Sequence, residues 1–81
     1  MNDMKFIVSK RKAINLATIN SISISNNYLV LTTDAGANAR EILFFYGAER
    51  VLVELFDAIM DFIKSEGRVF DCDKFVAALQ L

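Results

Sequence analysis

The sequence predicts an α+β domain, an antiparallel meander of four to five strands packed on one long amphipathic C-terminal helix, with a short terminal helix after it. Three observations predict it. Residues 4–46 are rich in Ile, Val, Thr and aromatics in period-two stretches; after Gly47 the apolar spacing changes to that of a helix; and Asp71 stands as an N-cap before a last short apolar run. With 81 residues the chain forms one domain, 1–81, with strands within 4–46, a helix over 48–66 and a short helix over 72–80.

The first strand alternates at Met4, Phe6 and Val8, and Lys10-Arg11-Lys12 then interrupts it as a turn. From Ala13 the apolar positions are Ile14, Leu16, Ile19, Ile22 and Ile24, whose parity changes once and changes back. One flat strand cannot keep all five on one face, so a bend or bulge is expected near Ala17–Asn20. Asn26-Asn27 separates two strand-like runs. Asn tolerates positive φ better than any other non-glycine residue, which makes this pair a two-residue hairpin turn. A small polar loop over Asp34–Ala39 leads into the strand Glu41–Tyr46.

On a helical wheel at about 100° per residue, nine apolar residues from Val51 to Ile63 fill roughly half the circumference of the long helix. Arg50, Glu54, Asp57, Asp61 and Lys64 lie opposite. Gly67 is read as a positive-φ stop beyond it. In the short helix, Phe70 and Phe75 flank the Asp71 cap at the spacing of a hydrophobic staple.

The composition excludes several chemistries. The chain has no His and one Cys, so it lacks the commonest acid–base group and metal ligand, and it can form no internal disulfide. Cys72 therefore has no His base to activate it and is read as a structural thiol. Glu54, Asp57 and Asp61 read as a solvated face interleaved with Arg50 and Lys64, and Asp71 with Asp73 as capping residues. No cofactor and no catalytic or metal-binding residues are expected. Residues 1–40 carry five cations and two acids, residues 41–81 four cations and eight acids. That balance is too mild for nucleic acid. Apolar runs are too short for a membrane span and no leader pattern opens the chain, so a soluble, cytoplasmic protein is expected.

The run Ile14-Asn15-Leu16-Ala17-Thr18-Ile19-Asn20-Ser21-Ile22-Ser23-Ile24, the strand Tyr28–Thr33, the strand Ile42-Leu43-Phe44-Phe45 and the helix around Leu55-Phe56-Asp57-Ala58-Ile59 together form a pattern. Over residues 13–64 it resembles pleckstrin-homology-like and GRAM-like domains, in which a kinked strand precedes two strands and a closing amphipathic helix. The full fold of that family has seven strands and a helical Trp, whereas this chain offers four or five strands and no Trp. The resemblance implies phosphoinositide or protein binding through basic loops between early strands, and Lys10, Arg11 and Lys12 stand where such a loop lies.

Two functions from different classes follow. The apolar arc of the long helix is wider than one sheet covers. This predicts a non-enzymatic interaction module that self-associates or takes a protein partner, with Val53, Phe56, Met60, Phe75 and Leu79 as its interface. The alternative is an anion or lipid-headgroup binder that uses Lys10, Arg11 and Lys12 at a peripheral membrane surface; the plainer reading of that triplet is a solvated turn that discourages edge pairing.

Overall fold

In the computed structural model, which describes residues 4–33 and 39–80, the α+β class holds, but the strand arrangement differs from a single meander. The described residues form β1 (Phe6–Ser9), β2 (Lys12–Asn15), β3 (Ile19–Ser25), β4 (Tyr28–Thr33), β5 (Arg40–Tyr46), α1 (Glu49–Lys64), β6 (Val69–Asp71) and α2 (Cys72–Leu79). These six strands make two three-stranded sheets, ordered β2-β1-β6 and β3-β4-β5. The antiparallel meander is the second sheet. The loop expected at Asp34–Ala39 lies, Ala39 apart, outside the described residues.

The division into two sheets has a local cause. Lys10, at φ 55°, opens a two-residue turn that folds β2 back on β1, pairing Ser9 with Lys12 and Phe6 with Asn15. A single 3-10 turn, Leu16–Thr18, then lifts the chain out of the first sheet. The Asn15 side chain accepts the Ala17 N–H at 2.9 Å and so caps that turn. The register of β3 against β4 shifts between Ile19 and Ser21, leaving Asn20 as the extra residue. Turn and bulge together are the bend that the Ile14-to-Ile24 parity requires, and they keep Ile19, Ile22 and Ile24 on one side.

Asn26 and Asn27 form the β3–β4 turn with φ of 52° and 67°, the left-handed pair that suits the right-handed twist of a hairpin. A second bulge lies in β5, where Leu29 faces Phe45 and Val30 faces Leu43, so Phe44 is the extra residue. Phe44 and Tyr46 share parity in the sequence. Across the bulge they part, Phe44 being 5% exposed and Tyr46 68% exposed.

α1 runs over Glu49–Lys64, within the expected 48–66, and buries Val51, Leu52, Leu55, Ile59 and Phe62. These pack with Ile7, Leu29, Leu31 and Phe44 of the strands and with Cys72 and Val76 of α2, so one core joins both sheets and both helices. The end of α1 is not a left-handed glycine. Ser65 leaves in an extended conformation, its N–H and hydroxyl both donating to the Phe62 carbonyl. Gly67 instead packs closely on Phe62, where a Cβ would lie 3.3 Å from a ring carbon.

Beyond Gly67 the three residues of β6 pair in parallel with β1, Phe6 facing Val69 and Val8 facing Asp71. A parallel pair needs a long crossover, and the intervening chain with α1 provides it. α2 follows at once. Asp71 caps it, accepting the Lys74 N–H at 3.0 Å, and Phe70 meets Phe75 with ring centroids 5.6 Å apart, as the staple spacing predicts.

Candidate functional site

Helical spacings of three, four and three place Val53, Phe56, Met60 and Ile63 on one stripe of α1, beside the residues it buries. Val53 and Ile63 are 46% and 41% exposed, while Phe56 and Met60 are half-buried. Next to this stripe runs a groove of about 380 Å³, lined by Phe56, Met60 and Ile63 on one wall, by Leu16, Ile19, Asn20, Ser21 and Ile22 on the other, and by Lys5. In a strand, alternate side chains face opposite sides. Four consecutive residues of β3 line this groove, because the bulge at Asn20 breaks the alternation between Ile19 and Ser21. β3 is an outer strand of its sheet, and no described strand pairs with its far side.

Lys5, which also lines the groove, is held at the end of α1. Its ammonium donates to the Ser65 carbonyl at 2.6 Å and to the Gly67 carbonyl, and it stands 4.8 Å from the centre of the Phe62 ring. A cation is thereby placed at the C-terminal end of α1, on the carbonyls of the capping Ser65 and of Gly67 just beyond it, where the helix dipole favours it.

The structure brings only part of the expected interface together. Val53, Phe56 and Met60 share the stripe with Ile63. Phe75 instead joins a row of mutually tilted rings, Phe62, Phe70, Phe75, and Leu79 lies beside Arg50, Val51 and Glu54. α2 thus packs on a different flank of α1 and leaves Val53 uncovered. Ile63 and the β3 edge belong to the site but were not singled out from the sequence; Ile63 was legible on the apolar arc, whereas strand order cannot be read from a pattern of residues.

Lys10, Arg11 and Lys12 are all exposed at the β1–β2 turn. Asp73 reaches into the same turn. Its carboxylate accepts the Ser9 hydroxyl at 2.9 Å on one oxygen and the Lys10 N–H on the other. A negative charge therefore lies within the triplet, and the one turn amide in left-handed geometry already has its anion. Asp73 is not a second cap of α2 but a clamp between α2 and the first hairpin.

Cys72 is fully buried, and burial, reinforced by the charges of Asp73 and Asp71, pushes its thiol up to about 12. A thiol so hard to ionise is a poor nucleophile. Among the described residues no three His, Cys, Asp or Glu side chains gather as a metal site, and no helix is long and apolar enough to cross a membrane. Compared with family models, curated proteins and solved structures, the chain shows no match.

Proposed function

We propose that this protein is a non-enzymatic interaction module that self-associates through the apolar surface shared by α1 and the β3–β4–β5 sheet. The observation that carries this reading is the stripe Val53, Phe56, Met60, Ile63, which borders an apolar groove and leaves Val53 and Ile63 exposed and Phe56 and Met60 half-covered. Contiguous apolar surface of this kind marks binding sites in soluble proteins. A small domain without disulfide or metal has the most to gain from association, because one core of this size supplies only about 3–5 kcal/mol. The unreactive Cys72 and the absence of His from the sequence favour a binding role over catalysis.

Sedimentation equilibrium across micromolar concentrations tests it. Self-association is expected, and Met60→Glu, which places a charge in the groove wall, is expected to weaken it at least tenfold. A stable monomer throughout that range contradicts the proposal.

The alternative is anion or lipid-headgroup binding by Lys10, Arg11 and Lys12, favoured by the exposure of all three at one turn and opposed by the carboxylate of Asp73 inside it. Binding to anionic vesicles that disappears when all three become Ala supports that alternative; no binding by the unaltered protein removes it.

A further inference from the structure

Resting on the self-association reading, we infer that a second copy of this chain docks edge to edge along β3, joining the two sheets into one of six strands, β5-β4-β3 continued by β3-β4-β5 of the other copy.

The free edges differ in charge. β2 begins with Lys12, β5 carries Arg40 and Glu41, and β6 ends in Asp71. Charged residues on an edge resist pairing. β3, Ile19–Ser25, has none, and is alone among the described edge strands in presenting no charged side chain that pairing would have to accommodate. Its bulge-free stretch is Ser21–Ser25, with Ser21, Ser23 and Ser25 exposed and Ile22 and Ile24 turned to the core. Antiparallel pairing centred on Ser23 sets Ile22 against Ile24 of the second copy and Ser21 against its Ser25. Each residue then faces its own chemical kind, and the contacts are reciprocal, as in any isologous two-fold interface.

The helix layer closes in the same arrangement. α1 packs over β3 and β4. With strands about 4.8 Å apart, the two α1 helices stand roughly 10 Å from each other across the two-fold axis, within the usual 8–10 Å of packed helices. The stripe Val53, Phe56, Met60, Ile63 lies on the side that faces the axis, so each helix covers the groove of the other copy. Its flank carries both signs, Arg50 and Lys64 with Asp57 and Asp61, and presents no single-sign field. A contact as long as α1, about 24 Å, and two layers deep, about 20 Å, covers roughly 1,000 Å² over both copies, the size at which specific interfaces begin.

The test uses the full chain. Ser23→Cys places two thiols face to face at the two-fold axis, at the roughly 5 Å Cα separation of a β pair that a disulfide spans, while the buried Cys72 stays out of reach. Mild oxidation is expected to give a covalent dimer in high yield, and Leu43→Cys on the exposed face of β5 is expected to give none. Ser21→Lys with Ser23→Lys, both at exposed positions, is expected to weaken dimerisation at least tenfold in sedimentation equilibrium. A dimer that neither crosslinks through Ser23→Cys nor responds to the two lysines overturns the β3 seam while leaving self-association standing. A monomeric unaltered protein overturns both.

Discussion

Asp73 links parts of the chain more than sixty residues apart. Its carboxylate accepts from the buried Ser9 hydroxyl and from the Lys10 amide, and hydrogen bonds to a charged acceptor are stronger than neutral ones. Asp73→Ala leaves the Ser9 hydroxyl, 3% exposed, without that partner. A loss of about 2 kcal/mol is expected from this, read as a lower urea midpoint, with Asp73→Asn losing less. At Cys72 the expectation concerns pH. Well below pH 9 the thiol is protonated in both folded and unfolded chains and does not affect stability. Between its ordinary value of 9.0 and the folded value of about 12 the unfolded chain ionises first, so it binds fewer protons and stability falls as pH rises. Thermal melts from pH 8 to 11 are expected to show an alkaline loss that is smaller in Cys72→Ala. Neither property was fully legible beforehand. That Cys72 is inert followed from the missing His, and the two acids beside it were visible. The partner of Asp73 was not, because a contact spanning 63 residues leaves no local spacing to read.

At the scale of elements, the parts governed by local chemistry were legible: the Asn26-Asn27 hairpin, the Asp71 cap with its Phe70–Phe75 staple, the period of α1 and the bend near Ala17–Asn20. The elements that were missed depend on distant chain. β6 has only three residues and becomes a strand because β1 offers an edge. The sequence places the stop of α1 at a positive-φ Gly67, whereas the structure closes it with Ser65 donating to the Phe62 carbonyl and with Lys5, distant in sequence, donating to the Ser65 and Gly67 carbonyls. Lys5→Met retains much of the aliphatic stem over Phe62 and removes the cation. A destabilisation of about 1 kcal/mol is expected, from lost hydrogen bonds and dipole pairing, with the urea midpoint falling and the slope unchanged.

For the whole molecule, one core spans both sheets, so β1, α1 and α2 stand or fall together. Ile7, Leu55 and Cys72 are all fully buried in it. Anything that binds only the folded state raises stability by mass action, and a second copy is such a ligand. The thermal midpoint is therefore expected to rise with protein concentration between about 1 and 100 µM, and to lose that dependence in the variant with lysines at 21 and 23.

The bulge at Phe44 bears on how far such an assembly grows. A sheet with two open edges is a monomer unit in the polymer sense, since each addition leaves a fresh end for the next. Here the ends are unequal: β3 is uncharged and regular beyond Asn20, while β5 is kinked by Phe44 and begins with Arg40-Glu41. Chain growth through a valence of one stops at two.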